Sequence, residues 1–272
     1  MKPFVVVAFV LCVAAGCSSS DNAPALVLAQ DFVTDVNPKT IKQTNLFTSH
    51  PENNTIETST LVYENGRIKE IDFVDDDGTS GAIKVTRDNV GNVIKSETYF
   101  NKGGTLTADS YLDYTYSKGL LTSMKKYYWY NNTFTNLENT TFTYNDKNQL
   151  TEMNVVNSSG KVQRQCTYTY SDDSTNPSTV SSSFPSAPTP FSFTNSYAYE
   201  NSTSALIAYF QVRGFIDQAL IKKNISMITN VTNEGPAPVQ DLSISYTYAD
   251  GNIPHKSVQT DATGSETWEF GY

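Results

Sequence analysis

The chain has 272 residues, carries 28 acidic against 19 Lys and Arg side chains for a formal charge of −9, and is 12% aromatic with 17 Tyr. Scattered cations on an acidic chain offer no basic stripe to displace counterions, which excludes nucleic acid as a partner. Its three Cys and two His leave little for disulfides or for a zinc site.

The N-terminus reads MKPFVVVAFVLCVAAGCSSSDN. Lys2 gives a positive start, and Phe4 to Val13 form an apolar run too short to span a bilayer but suited to a removable export signal. Val13-Ala14-Ala15-Gly16-Cys17 resembles the lipobox of bacterial lipoproteins. The resemblance implies cleavage between Gly16 and Cys17 and acylation of the Cys17 thiol, so that Cys17 attaches the protein to a membrane. Removal of residues 1–16 takes Lys2 and Cys12 away, shifting the formal charge from −9 to −10. Cys166 then has no partner but Cys17, and in its alternating run it reads as a small core residue. Residues 17–40 form a lipidated tether beginning with polar SSSDNAP. The remaining 41–272 read as a single repeat-built β domain, with no later segment near the roughly 20 apolar residues of a membrane helix.

Within that domain the pattern is period two. VYENGRIKEI, from Val62, sets Asn65-Gly66 between alternating flanks and predicts a hairpin. DFVDDDGTSG gathers Asp72, Asp75, Asp76 and Asp77 but lacks the EF-hand ligand pattern, and reads as a solvated turn. VTRDNVGNVIKSETYF repeats the hairpin plan around Gly91-Asn92. An aromatic-x-Tyr unit followed by turn chemistry then recurs as YTYSKGLLTSM (Tyr114), FTYNDKNQLTEM (Phe142), YTYSDDSTNPSTV (Tyr168) and YTYADGNIPHKSV (Tyr246). Tyr116, Tyr144, Tyr170 and Tyr199 stand 28, 26 and 29 residues apart, room for two strands and two turns per repeat. In YYWY, Tyr128 and Tyr130 alternate with Tyr127 and Trp129. Tyr128, Trp129 and Tyr130 are the candidate exposed aromatic patch, able to stack on a sugar ring or a partner protein or to pack across strands. Toward the C-terminus, DLSISYTY puts Leu242, Ile244, Tyr246 and Tyr248 on one face and hydroxyls on the other, and TWEFGY aligns Trp268, Phe270 and Tyr272.

One segment departs from this rhythm. In Thr203 to Asn224 apolar residues recur every three to four positions, predicting a short helical insertion capped by Thr203 or Ser204 and weakened at Gly214. It reads either as a helix covering a sheet face or as a lid over a ligand cavity.

These residues predict an all-β fold: a repeated antiparallel hairpin meander of ~12 to 14 strands in one long twisted sheet, able to curl toward a half-barrel. The aromatic-x-Tyr units resemble YD/RHS-type repeats, over roughly residues 60 to 272, and the combination with a lipobox is similar to Bacteroidota-type envelope lipoproteins. The resemblance implies the local hairpin build and an outer-membrane anchor, facing either the surface or the periplasm. The sequence contains no G-x-S-x-G elbow, Walker loop or H-E-x-x-H, and His50 and His255 stand far apart. The expectation is a non-enzymatic binding or scaffolding protein without catalytic residue, metal or cofactor. Its partners would be the membrane, through the lipid, and a glycan or an envelope protein. Two alternatives stay open: a lipid or protein carrier or chaperone with a helix-covered apolar groove, and a carboxylate-dependent hydrolase.

Overall fold

A computed structural model describes residues 37–272 except 49, 172–173, 220, 235–240, 250–252 and 262. Gly16, Cys17 and nearly all of the tether lie outside the described residues. Sixteen strands follow in chain order: β1 (Thr40–Phe47), β2 (Thr55–Glu64), β3 (Arg67–Asp75), β4 (Ser80–Arg87), β5 (Val93–Lys102), β6 (Thr105–Ser117), β7 (Leu120–Tyr130), β8 (Thr133–Tyr144), β9 (Leu150–Asn157), β10 (Val162–Thr169), β11 (Thr179–Phe184), β12 (Phe191–Thr203), β13 (Lys223–Glu234), β14 (Leu242–Ala249), β15 (Ile253–Thr260) and β16 (Gly264–Gly271). Two short helices, α1 (Ile207–Arg213) and α2 (Ile216–Ala219), lie between β12 and β13.

Every strand is antiparallel to its chain neighbours, and β1 pairs with β16 from Thr40↔Gly271 to Phe47↔Gly264, closing the sheet into a barrel. The expected meander is therefore present, but it is a full barrel of sixteen strands where a half-barrel of twelve to fourteen was expected. The difference comes from β1 and β2, whose mixed TIKQTNLF and TIETSTLVYE carry no clean alternation, and from the β1–β16 pairing, which joins residues from the two ends of the domain.

The turns match their chemistry. Asn65 and Gly66 both have positive φ, 52° and 74°, as a type I′ turn requires. Asp88 folds the β4–β5 turn by accepting the backbone N–H groups of Val90, Gly91 and Asn92 on Oδ1. The DDDG segment is the exposed β3–β4 turn, with Gly78 at φ 87°. Turns at residues 65–66, 88–92, 118–119 and 145–149 share one end of the barrel with the start of β1. Those at 103–104, 131–132 and 158–161 form the other end.

At the first end the recurring tyrosines take one position per hairpin. Tyr116 is the exception, its hydroxyl accepting from Gln211 Nε2 at 3.5 Å; six others each donate to a main-chain carbonyl at the start of the strand before. Tyr63 bonds Pro38 O (2.8 Å), Tyr144 bonds Leu121 O (2.9 Å), Tyr199 bonds Pro177 O (2.6 Å), Tyr246 bonds Ile225 O (3.0 Å) and Tyr272 bonds Pro254 O (2.7 Å). Tyr170 makes the same bond to the Leu150 backbone. Val93, Leu121, Leu150 and Ile68 are fully buried beneath these rings, so this end is closed.

Sixteen strands enclose more volume than wall side chains can fill. The α1–α2 segment fills it. Tyr209, Val212 and Ile216 are buried in one cluster with inward-facing Ile71, Ile83, Tyr114 and Trp268, and Ile207 is buried as well. The helical insertion thus lies inside the barrel, packed on the inner face of the sheet. Gly214 divides it, as its sequence position implied, with φ 81° at the C-cap of α1. The start differs: Leu206 is the N-cap without a side-chain hydrogen bond, and Ser204 Oγ accepts from Leu206 N–H at 3.3 Å. Cys166 is buried in the wall, 3.3 Å from Ser182 Oγ.

Candidate functional site

Large apolar side chains turn inward and small polar ones outward along several strands, but neither face is uniform: Val62, Val74, Met227 and Val231 are exposed outside, and Glu57, Asp75, Lys126 and Glu138 line the lumen. Along β14, Leu242, Ile244, Tyr246 and Tyr248 face the lumen half-buried, while Ser243, Ser245, Thr247 and Ala249 are exposed outside. The outer surface of β1, β16 and β15 carries the ion pairs Lys42–Glu269 (3.9 Å) and Lys256–Glu269 (3.8 Å). A bilayer-spanning barrel needs the reverse, an apolar outside and a polar inside. Among the described residues no helix is long and apolar enough to cross a membrane. Strands are the other means of crossing, and β1, β14, β15 and β16 present hydroxyls and charges outward.

The plug is fastened at its middle. Glu57 on β2 faces inward and pairs with Arg213 at the end of α1: Arg213 Nη1 donates to Glu57 Oε1, and Nη2 donates to Oε2 at 2.9 Å. Tyr209 donates to Glu57 Oε1 at 2.9 Å and lies 3.1 Å from the Ser59 hydroxyl. Tyr114 Oη donates to Gln211 O at 2.8 Å. Burial works against the Glu57 carboxylate, but Arg213, Ser59 and Tyr209 outweigh it and hold its pKa below the ordinary value. Burial likewise opposes the Arg213 charge, and the Glu57 and Tyr209 oxygens reverse that and raise its pKa. Asp75, directly opposite Glu57 on β3, is pushed up, first by burial and then by the Glu57 and Asp77 charges. Convergent polar groups therefore exist, but both oxygens of Glu57 are engaged in holding the plug. Among the described residues no group of three or more His, Cys, Asp or Glu is placed to hold a metal ion.

Around the plug, cavities open among the described residues. One of about 320 Å³ lies between α1–α2 and the β10–β16 wall, lined by Phe210, Trp268, Ile225, Ile228, Ile244 and Tyr246 among others. Two more, of about 520 and 430 Å³, meet at Gly214 and Phe215 and face the open end. Phe215 stays 48% exposed there at the tip of the plug. Cavities of this size, lined by apolar and polar side chains together, suit small-molecule ligands.

The three aromatic candidates do not share one face. Trp129 points outward, edge-on to Phe134 (4.9 Å, 70°), and Tyr111 stacks on Tyr127 (4.5 Å, 15°) beside them. Tyr128 lines the 430 Å³ cavity with Lys126 over its ring at 5.2 Å. Tyr130 sits at the β7–β8 turn, 66% exposed. Sequence reasoning missed Glu57 and Arg213, and it placed Asp75 in the solvated acidic turn and Tyr209 in the apolar helical stripe. They belong to distant segments, and no local spacing joins them; the one available signal was the charge of Arg213 on an otherwise apolar helical stripe.

These features define a class: a closed up-and-down β-barrel with a core of large apolar side chains and a mixed polar and apolar lumen around it, plugged by its own helical segment. The chain matches no described protein family and no curated protein. Its fold is similar to that of a porin-like protein from Bacteroides uniformis, over 86% of this chain and 96% of that one, with 11% sequence identity and a TM-score of 0.55. A porin-like protein from Bacteroides vulgatus aligns over 88% of this chain and 99% of the other, with 12% identity and a TM-score of 0.42. A chain of TcdB2-TccC3-Cdc42 aligns with 75% of this chain but 13% of its own length, at 13% identity and a TM-score of 0.21. The first of these establishes a shared fold; the other two are too distant to carry an argument.

Proposed function

We propose that this protein is a non-enzymatic binding protein of the bacterial cell envelope, tethered to the outer membrane by acyl chains on Cys17, that holds an apolar or amphipathic molecule inside its barrel. The observation that carries this reading is the polarity of the wall. A barrel with large apolar side chains turned into its lumen, hydroxyls and charges over much of its exterior, and cavities beside a buried plug can shield an amphipathic ligand from water. The fold shared with a Bacteroides protein supports an envelope setting. The porin part of that protein's name does not carry over, because this outer surface suits water.

Two measurements on the same purified protein test the reading. Radiolabelled palmitate should be incorporated by the native chain and not by Cys17→Ser. N-phenylnaphthylamine should show saturable fluorescence enhancement that Ile244→Trp, which fills the 320 Å³ cavity, reduces at least tenfold. No saturable binding in either protein would end the ligand reading, whatever the palmitate result.

The outer aromatic row favours a second partner. Trp129, 44% exposed beside Phe134, offers a ring face to the glycan or envelope protein expected from the sequence. Loss of glycan or partner binding in Trp129→Ala, with N-phenylnaphthylamine binding intact, is the result expected from it.

A further inference from the structure

The barrel is not equally sealed all round. Every neighbouring strand pair keeps five or more registered residue pairs except β13 and β14, which keep two, Met227↔Ser243 and Ile228↔Leu242. Elsewhere along this seam side chains replace the ladder. Asn224 Nδ2 donates to Tyr248 Oη at 3.3 Å and Asn230 N–H to Asp241 Oδ1 at 3.0 Å, beside the Tyr246 to Ile225 O bond that fully laddered hairpins share. Such bonds break and re-form singly, whereas a ladder opens cooperatively.

Directly behind the seam lies the 320 Å³ cavity. Its near wall is made by the seam strands themselves, Ile225 and Ile228 from β13 and Ile244 and Tyr246 from β14. Outside, Met227 and Val231 on β13 are 46% and 57% exposed, an apolar approach. The charged groups lining the cavity are Arg164 and Lys223 against Glu266, two positive to one negative. A long aliphatic wall with a net positive polar margin suits one acyl chain ending in an anion.

On the reading of the barrel as a binding protein, we propose that this cavity takes a single-chain anionic amphiphile, of the long-chain carboxylate class, admitted sideways between β13 and β14.

The full chain in its Cys17→Ser form, with Trp129→Phe leaving Trp268 as the one tryptophan, gives the readout: energy transfer from Trp268 to dansyl-undecanoate in stopped flow. Met227→Cys with Ser243→Cys places a disulfide across the seam on the outer face, where Cα partners suit one. The expected result is an association rate at least tenfold slower when oxidised and restored by dithiothreitol. The same lock on a fully laddered pair, Ser123→Cys with Thr141→Cys, should change nothing. An unchanged rate in the oxidised β13–β14 lock overturns sideways admission while leaving the lumen reading intact. Dansyl-undecanol should bind several-fold more weakly than the acid, and Arg164→Met should remove that preference; equal binding of acid and alcohol overturns the anionic class. Absence of transfer in the unlocked protein overturns both this inference and the reading beneath it.

Discussion

A tyrosine hydroxyl reaching back to a carbonyl one strand away is the smallest unit that explains the recurrence in this chain. Tyr144 shows it: the ring packs at the closed end, and Oη closes a 2.9 Å bond to Leu121 O. Burial raises the phenol pKa, so the hydroxyl stays a donor at physiological pH. Tyr144→Phe keeps the ring and leaves the carbonyl unmet, so it should cost about 1 kcal/mol in urea unfolding. Tyr144→Ala, which also opens a void, should cost about 3 kcal/mol. Aromatic-x-Tyr spacing was legible in the sequence, but the bond was not, since its acceptor is main chain some twenty residues earlier. The Glu57–Arg213 pair carries a different prediction, read through pH. Glu57 has its folded pKa below 4.5, so the stability it contributes is complete above about 4.5 and fades as pH falls through the lower folded value. Glu57→Gln should therefore destabilise the protein by about 3 kcal/mol at pH 7, where it strands a buried guanidinium, and lose less than wild type on acidification. Asp75 has the opposite sign: its folded pKa is raised, so its ionised form costs stability at neutral pH. Asp75→Asn should raise the urea midpoint at pH 7, and that advantage should vanish in acid.

At the scale of elements, the plug depends on one backbone position. Gly214 ends α1 at φ 81°, and a Cβ there would sit 2.5 Å from Leu112 Cδ1 on the β6 wall. Strain and overlap act together. Gly214→Ala should destabilise the fold by at least about 1 kcal/mol, and Leu112→Ala should recover the overlap part but not the dihedral part. A double-mutant cycle measured by thermal unfolding separates the two. The helical period of residues 203–224 was readable because amphipathic spacing is local. Its place in the lumen was not, because the same apolar stripe would serve equally on an outer sheet face. What settles the choice is volume: a closed wall of sixteen strands leaves an interior that must be filled, and closure is a property no single hairpin encodes. The aromatic run Tyr127 to Tyr130 shows the same boundary. Alternation divides it into two faces, but which face looks outward depends on the register of β7 with β6 and β8, set by pairs such as Tyr111↔Tyr127 and Trp129↔Phe134.

For the whole molecule the decisive quantity is the sign of the wall's polarity. Period-two alternation predicts one greasy and one polar face for any antiparallel sheet, and both water-soluble and membrane barrels satisfy it. Only closure tells which face is inside. Here Ile71, Tyr114, Phe142, Tyr168 and Trp268 point in, and Lys42, Thr58, Thr194, Thr247 and Glu269 point out. Burying charges of the Lys42–Glu269–Lys256 group in hydrocarbon would cost about 2–4 kcal/mol for each lysine near the midplane, with no compensating apolar band around it. On the proposed reading, membrane association comes through acyl chains on Cys17, where each buried methylene contributes about 0.8 kcal/mol. Phase partitioning in Triton X-114 separates the two sources. The native protein should collect in the detergent phase. Cys17→Ser should move to the aqueous phase with its β-sheet circular dichroism unchanged, because the barrel itself has no reason to leave water. Recovery of Cys17→Ser in the detergent phase would mean that the strands meet lipid, and the inward-apolar reading of this wall would fail with it.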